Sequence, residues 1–542
     1  MDTRTLIAIL LIFVIYIVFL SPKPKPIQNE AVVTNSISAP ATDAPALKST
    51  GTAVQQASAD TRLRQAVVMM KNNLIEVALN GLGQAQRVQF LQYAMTPKAK
   101  ERMAETFSGN GLNSSQVEIA GSVLEWSLVS QNATELKLQG KTKDGLIVQR
   151  TMTLPNDSYS LRTSDKVINS SGKTIRTSLA VDLHRSNLVH QESGGFWQHL
   201  LHPQSAEIHE ALYFKEGDVT RTPLQQMEKT EAIDQSVITA AGYSEKYFFF
   251  GLVPTQFSLQ SYRLEKNADG SFDMTLVSPE KQIAPGATGE FEYAFYMGPK
   301  NIQDLRNANP ELEQVVDYGS WIGPISRFLL GILHFFYKWI PNYGVGIILL
   351  TILVKLALYP LAFKSAVSMR RLQQVQPKMK AIRDRYKEDK TRMNAEMMNL
   401  YKSEKVNPVG GCLPLLLQMP VFFALYRVFF SSIEFRHAPF FGWIRDLSAH
   451  DPYFVTPILM TGLMWLQQKL TPMPPAMEEN EAVHIQRQMM KWMPIIFGAI
   501  MIFLPAGLTL YFLVNAMISI AQQVYLNKHL NLRYPLEHKI AV

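Results

Sequence analysis

The sequence predicts a mixed membrane protein, in which a large antiparallel β domain lies between an N-terminal anchor helix and a C-terminal group of membrane helices. Three observations predict this architecture. Several apolar runs approach the roughly 20 residues that a helix needs to cross a bilayer. Residues 61–309 alternate between apolar and polar side chains, as β-strands do. A strongly basic segment directly follows one of the apolar runs.

The N-terminus predicts a membrane anchor followed by a linker. Leu6 to Leu20 is an unbroken apolar run preceded by Arg4. A cleaved signal peptide is the alternative, but the polar sequence SPKPKP follows at once and no small-x-small cleavage site adjoins the run. We therefore favour an uncleaved anchor at 1–20 with its N-terminus inside. Residues 21–60 are rich in Pro, Ala, Ser and Thr, which predicts a flexible linker.

The region 61–309 predicts a β-sandwich. In 291–295, aromatic residues alternate with Glu292 and Ala294, and residues 135–139 alternate in the same way. Asp269-Gly270 lies between two strand-like runs, as a hairpin turn does. No apolar run here is long enough to span a membrane. The pattern predicts two packed, mainly antiparallel sheets.

Residues 310–342 predict an amphipathic helix at the membrane interface. Trp321 to Ile340 is aromatic at both ends and carries Arg327, His334 and Lys338. A spanning helix is the alternative, but three internal polar residues favour a helix that lies in the interface.

The next segment, Tyr343 to Phe363, is apolar enough to span, and Lys355 lies in its middle. A lysine near the centre of a spanning helix costs about 2.5–3.5 kcal/mol on insertion scales. Snorkelling is one alternative, but Lys355 lies nine residues before Lys364, or about 13 Å from the helix end. We predict that Lys355 faces a wet cavity or a counter-charge and serves the function of the protein.

Residues 364–409 predict a cytoplasmic helical hairpin. Twelve Lys/Arg residues stand against five Asp/Glu residues between Lys364 and Lys405. Leu372, Val375 and Met379 begin a 3,4-spaced apolar seam, which is typical of paired helices. The positive excess predicts that the hairpin is inside, so the β domain on the far side of the 343–363 span is outside.

The remaining segments alternate between apolar runs and short polar stretches. Transmembrane helices are predicted at 410–430, 453–470, 492–504 and 505–526, an outside loop at 431–452, an inside loop at 471–491 and an inside tail at 527–542.

Polar side chains at membrane depth accompany Lys355. They are Gln418 and, on the last helix, Asn515, Ser519, Gln522 and Gln523, whose spacing of three and four residues places them on one face. Hydrogen bonding between helices is one interpretation, and the lining of a hydrophilic cavity is the other.

Motifs of catalysis and active transport are absent from the sequence. The C-terminal spans carry no acidic residue, which a proton or cation pump normally needs. The chain has no complete phosphate-binding loop, no H-E-x-x-H and no G-x-S-x-G, and its single cysteine, Cys412, excludes an internal disulfide. We predict a non-enzyme without cofactor or metal, and no specific DNA binding. A positive charge in a half-open cavity favours a protein that helps membrane segments to insert. An anion transporter and an anchored scaffold are the alternatives.

Four segments of the sequence resemble the YidC-type membrane protein insertases of Gram-negative bacteria, a family related to the mitochondrial oxidase-assembly and chloroplast insertases. They are LALYPLAFKSAVSM (356–369), EKVNPVGGCLPLLLQMPVFFALY (404–426), DLSAHDPYF (446–454) and LPAGLTLYFLVNAMISIAQQ (504–523).

This resemblance implies a five-helix membrane core with a hydrophilic groove that is open to the cytoplasm and to lipid, together with a periplasmic β-supersandwich. The groove charge, usually an arginine in the family, corresponds to Lys355. Positions that contact the incoming segment correspond to Thr351, Met419, Tyr511 and Phe512. The resemblance also implies the bacterial inner membrane with both termini cytoplasmic, and as partners the lipid bilayer, newly made membrane proteins, the Sec translocon and ribosome–nascent chain complexes.

Overall fold

The computed structural model describes residues 67–94, 102–106, 114–119, 125–142, 146–185, 209–227, 230–233, 235–404, 406, 413–470 and 481–533. The predicted anchor at 1–20 and the predicted linker at 21–60 lie outside the described residues. The described residues divide into two compact units, a β unit that ends at Val315 and a helical unit that begins at Val316.

The β unit has nineteen strands in its described part. They are β1 Val67–Lys71, β2 Ile75–Asn80, β3 Ala85–Ala94, β4 Arg102–Thr106, β5 Ser114–Ile119, β6 Glu125–Gln131, β7 Glu135–Lys141, β8 Leu146–Thr153, β9 Ser160–Asn169, β10 Ile175–Arg185, β11 Glu210–Lys215, β12 Asp218–Pro223, β13 Glu231–Ile233, β14 Ile238–Ser244, β15 Phe248–Pro254, β16 Ser261–Lys266, β17 Phe272–Val277, β18 Lys281–Ile283 and β19 Thr288–Pro299. The unit closes with helix α1, Ile302–Ala308, and a 3-10 helix at Pro310–Val315.

These strands form three antiparallel sheets. The largest has nine strands in the order β12-β11-β14-β15-β19-β9-β8-β7-β6. A six-stranded sheet runs β13-β16-β17-β10-β18, with β5 also paired to β10, and a four-stranded sheet runs β1-β2-β3-β4.

Both smaller sheets pack against the nine-stranded sheet. The hydroxyl of Tyr243 on β14 lies 3.0 Å and 3.2 Å from the carbonyl oxygens of Leu183 and Phe272, which belong to the six-stranded sheet. The ring of Phe90 in the four-stranded sheet lies 4.5 Å from the ring of Phe248 on β15. The predicted β-sandwich is confirmed. Apolar and polar side chains alternate along its strands, so the apolar side chains point inward and are buried.

A buried ion pair lies on the inner face of the large sheet. Arg150 on β8 and Asp165 on β9 are direct cross-strand partners, only 2% and 0% exposed. Arg150 Nε and Nη2 donate to the carboxylate at 2.7 Å and 2.8 Å, and the Tyr293 hydroxyl donates to Asp165 Oδ2 at 2.8 Å. Burial opposes the charged guanidinium, but Asp165 and Tyr293 together outweigh the effect of burial and raise the pKa of Arg150.

The helical unit contains eight α-helices in its described part. They are α2 Gly323–Trp339, α3 Tyr343–Gln374, α4 Gln376–Arg385, α5 Lys390–Ser403, α6 Leu413–Ser431, α7 Val455–Leu470, α8 Glu481–Met501 and α9 Ala506–Arg533. Among the described residues, two segments are long and apolar enough to cross a membrane by length and composition, Tyr343–Gln374 and Ala506–His529, and Lys491–Met501 is a shorter apolar segment.

Two helices extend beyond the segments that the sequence predicts for them. Helix α3 begins at Tyr343 as predicted but continues past Phe363 to Gln374, because residues 364–374 are good helix formers without a proline. Helix α8 begins at Glu481, so residues 481–491 of the predicted loop are helical. The polar composition of residues 471–491 predicted a loop, but a polar segment can extend a helix beyond its apolar part.

Helices α4 and α5 pair around an apolar cluster. Its buried members are Leu372, Val375, Met379, Met397, Tyr401 and Val406. Leu372, Val375 and Met379 belong to the apolar seam predicted from the sequence. They lie three and four residues apart, where α3 ends and α4 begins. The cluster holds the two basic helices of this region together.

Asp165→Ala is expected to destabilise the β unit by about 3–5 kcal/mol, because the Arg150 charge would remain buried without its carboxylate. Hydrogen exchange of the full chain in detergent measures this, and slowly exchanging amides of β8 and β9 should exchange about 100-fold faster or more. Asp218→Ala, at the exposed start of β12, is the control. Unchanged protection in Asp165→Ala would contradict the prediction.

Gly498→Ala is expected to destabilise the helical unit by about 1–3 kcal/mol through overpacking. A methyl group at Gly498 on α8 would overlap the Thr461 side chain on α7. The matched control is Gly462→Ala in α7, where a methyl group meets no atom within 4 Å. Thermal unfolding in detergent should separate the two variants, and Thr461→Ala should partly rescue Gly498→Ala. Equal melting temperatures would contradict this packing.

Candidate functional site

The N-terminus of α3 is held by a loop between α6 and α7. Asn342 caps the helix, since its Oδ1 accepts from the Val345 amide at 3.1 Å while its Nδ2 donates to the Phe440 carbonyl at 3.0 Å. Gly344 lies so close to the Phe440 ring that a methyl group would overlap it. These contacts hold the first turn of α3 in place, about three turns before Lys355.

The same loop supports the N-terminus of α9. The amides of Ala506 and Gly507 donate to the carbonyls of Ala449 at 2.6 Å and Leu447 at 2.9 Å. The first amides of a helix have no partner inside the helix, so these loop carbonyls satisfy two of them. A side chain at Gly507 would press against the Phe429 ring and the Leu447 carbonyl. The loop therefore determines where both α3 and α9 begin.

Asp451 organises this loop. Its buried carboxylate accepts from the Thr456 amide and hydroxyl, each at 2.7 Å, and from the Tyr453 amide and the Trp443 indole, each at 3.0 Å. The Thr456 hydroxyl lies 3.2 Å from that of Thr509 on α9. One carboxylate thus joins the loop to α7 and, through Thr456, to α9.

The central feature of the site is a hydrogen bond between α3 and α9. Lys355 Nζ donates to Ser519 Oγ at 2.7 Å, and Ser519 Oγ donates to the carbonyl of Asn515 at 2.7 Å. Lys355 is half-buried, and within the described residues it forms no ion pair. No carboxylate therefore balances the Lys355 side chain within the described residues.

A second polar contact joins α6 to α9. Gln418 Nε2 donates to the hydroxyl of Tyr511, which is fully buried. Tyr511 lies eight residues before Ser519, or about 12 Å along the helix at 1.5 Å per residue. The two contacts connect α9 to α6 and to α3 at two levels.

Two buried polar atoms of α9 have no hydrogen-bond partner within the described residues. They are Asn515 Oδ1, an acceptor, and Gln522 Nε2, a donor, on either side of Ser519 along the helix. A buried polar group without a partner costs about 1–3 kcal/mol. Water or a polar ligand on the face of α9 that meets Lys355 would therefore supply the hydrogen bonds that these two atoms lack.

Gln523 lies on another side of α9. Its Nε2 donates to Asn527 Oδ1 at 2.9 Å, and Asn527 Nδ2 donates to the carbonyl of Leu470 at the end of α7 at 3.3 Å. Neighbouring residues of a helix point about 100° apart, so Gln522 and Gln523 point in different directions from α9. Gln523 supports the end of α7 instead of contacting Lys355.

The residues that the resemblance assigns to substrate contact occupy different surroundings. Thr351 is buried one turn before Lys355, and its hydroxyl donates to the Ile347 carbonyl at 2.7 Å. Met419 is half-buried beside Gln418. Phe512 packs between Phe422, with ring centres 5.5 Å apart, and Phe497, 5.1 Å away.

The structure thus brings Lys355, Ser519, Asn515 and Gln522 to one region and joins Gln418 to Tyr511 nearby. Sequence reasoning missed Asp451 and Asn527. Asp451 precedes Pro452 and the apolar start of α7, which is a usable signal for a helix cap. Asn527 carries no such signal, since its partner is the backbone of another helix.

Comparisons with known proteins identify the family. Residues 75–332 match the family model of the YidC periplasmic domain, and residues 335–533 match that of the 60Kd inner membrane protein. The membrane protein insertase YidC of Geobacter sp. (strain M21) is 38% identical over 393 residues, which cover 72% of this chain and 70% of the relative. The chain belongs to the YidC family.

Another YidC insertase, from Pelobacter propionicus, is 31% identical over 560 residues, which cover 98% of this chain and 100% of the relative. A crystal structure described as an active YidC insertase, with its first transmembrane domain resolved, covers 85% of this chain and 92% of its own at 18% identity and a TM-score of 0.37. YidC relatives are named insertases and not enzymes, in agreement with the predicted non-enzyme. The chain is therefore an inner membrane protein with a periplasmic domain.

Asp451→Ala is expected to destabilise the helical unit by about 3 kcal/mol or more, because several buried donors lose their acceptor at about 1–3 kcal/mol each. Hydrogen exchange in the detergent-solubilised full chain should increase at the first turns of α7 and α9. Asp389→Ala, at the exposed cap of α5, should lower stability by about 1 kcal/mol and leave α7 and α9 unchanged. Equal effects of the two variants would contradict the organising role of Asp451.

Proposed function

We propose that the protein is a membrane protein insertase and chaperone that works through a hydrophilic, positively charged groove, open to the cytoplasm and to lipid. One observation carries the proposal. The Lys355 ammonium is half-buried on an apolar helix, and it bonds to a neutral hydroxyl where a structural lysine would normally pair with a carboxylate. Its YidC relatives are named membrane protein insertases.

The groove attracts the polar flank of an incoming membrane segment. Within the described residues, Lys355 uses one of its three N–H donors on Ser519, which leaves two for an acidic side chain or for water. Gln418, Asn515, Ser519 and Gln522 offer hydrogen bonds at membrane depth. Such groups lower the cost of bringing a polar flank out of water.

The apolar part of the substrate then leaves the groove into lipid, driven by the burial of its own apolar surface. In this proposal Thr351, Met419, Tyr511 and Phe512 contact the segment in passage. Thr351 and Tyr511 are buried, so they contact it only when the helices separate slightly. The groove needs no nucleotide, metal or cofactor for this step.

The proposed arrangement has both termini in the cytoplasm and five core helices in the membrane. It follows from the basic segment 364–409, which the positive-inside rule keeps in the cytoplasm. The substrates are nascent and newly made membrane proteins, delivered by ribosome–nascent chain complexes or by the Sec translocon. The half-buried Lys355, which forms no ion pair within the described residues, favours this function over an anion transporter or an anchored scaffold.

Lys355→Met is expected to slow the insertion of a single-spanning substrate with an acidic N-terminal flank by about 10- to 100-fold, because a hydrogen bond to a charged group contributes about 1.5–3 kcal/mol. Insertion is measured by protease protection in membranes that contain the variant as their insertase. A substrate with a neutral flank should be affected much less, and Lys355→Arg should keep most of the activity.

The matched control is Lys364→Met, which removes an exposed lysine nine residues later on the same helix. It should leave the insertion of both substrates near the wild-type level. If Lys355→Met inserts the acidic-flanked substrate as well as the wild type does, the proposed role of the groove charge is wrong.

A further inference from the structure

We propose that Ser519 is a positioning residue, which holds the Lys355 ammonium at its depth in the groove without neutralising it. The inference rests on the proposed function, because it concerns how the groove charge is kept available. Ser519 acts through Lys355, and no contact between Ser519 and the substrate is required.

The geometry around Ser519 suits this role. A serine hydroxyl has one donor and two acceptor lone pairs. Its donor is directed to the Asn515 carbonyl one turn earlier, at 2.7 Å, so that its lone pairs are available to Lys355 Nζ, also at 2.7 Å. The bond within α9 therefore orients the hydroxyl as an acceptor toward α3.

Lys355 needs such an acceptor to stay in place. A lysine has a flexible four-carbon stem with about 2 kcal/mol of rotamer entropy, and it tends to extend toward the nearest water. The neighbouring Leu353 and Leu356 are exposed apolar side chains of the same helix. Within the described residues, Ser519 supplies the one hydrogen bond that opposes movement of the ammonium out of the groove.

The neutrality of the acceptor matters as much as its position. A carboxylate at position 519 would hold the ammonium equally well but would cancel its charge, and nearby opposite charges interact strongly in a low-dielectric environment. A hydroxyl holds the ammonium and leaves its net charge at +1. Position 519 therefore requires a side chain that accepts a hydrogen bond and carries no charge.

A double-mutant cycle tests the inference. The variants are Ser519→Ala, Lys355→Met and the double variant, each assayed for insertion of the acidic-flanked and the neutral-flanked substrate and normalised to its membrane abundance. Ser519→Ala should lower the acidic-to-neutral insertion ratio about tenfold. In the Lys355→Met background the same change should have no further effect on that ratio, because Ser519 acts only through the lysine.

Two further substitutions separate position from charge. Ser519→Thr keeps a hydroxyl with the same bonding pattern and should retain the wild-type ratio. Ser519→Asp keeps an acceptor beside Lys355 but quenches its charge, so it should lower the ratio as far as Lys355→Met does. If Ser519→Ala does not accumulate in the membrane, Ser519→Asp provides the test in its place.

Ser326→Ala is the matched control, because Ser326 is a buried serine whose hydroxyl also bonds to another helix, at the Ala424 carbonyl 3.2 Å away. It should leave the insertion ratio unchanged. The inference is overturned if Ser519→Ala keeps the wild-type ratio, or if it lowers insertion equally with and without Lys355, since either result gives Ser519 a purely structural role. If Lys355→Met itself keeps the wild-type ratio, the proposed function fails first.

Discussion

The Lys355 ammonium, on the apolar part of α3, is the constraint on which the contact between α3 and α9 depends. Lys355 lies in the interior of a helix that is apolar enough to span a membrane, and its side-chain partner is the neutral Ser519. Such a charge is costly in a lipid environment unless protein groups or water surround it. Helices α3 and α9 therefore lie close together where Lys355 bonds to Ser519.

The loop between α6 and α7 provides much of this support from one end. Through Phe440 it fixes the start of α3, and through Leu447 and Ala449 it satisfies the first amides of α9. The two helices that carry Lys355 and Ser519 thus begin from one scaffold, which Asp451 ties together. This explains in physical terms why DLSAHDPYF and LPAG, far apart in sequence, function as one structural element. At the other end, Asn527 on α9 bonds to the end of α7.

Much of this architecture was predictable from local patterns, because alternation and apolar length are properties of contiguous sequence. The β-sandwich and the helix that begins at Tyr343 belong to this class. Helix spacing placed Gln522 and Gln523 on one broad face, but the Gln523 side chain bonds to Asn527, which in turn bonds to the end of α7. The positions of neighbouring helices decide between such adjacent residues, and spacing along one helix does not give those positions. The Gln418–Tyr511 contact was likewise unpredictable, because it depends on the register between two helices.

The buried Arg150 and the half-buried Lys355 show two ways in which this chain holds a cation. Arg150 in the β unit is paired with Asp165, which also accepts from Tyr293, so that its charge is balanced and fully bonded within the protein. Such a pair contributes to a defined packing and has little left to offer a ligand. Lys355 is bonded to a hydroxyl that balances none of its charge. The difference lies in the partner. A carboxylate balances the charge of the cation inside the fold, whereas a serine holds the cation without balancing its charge, which is what the proposed groove requires.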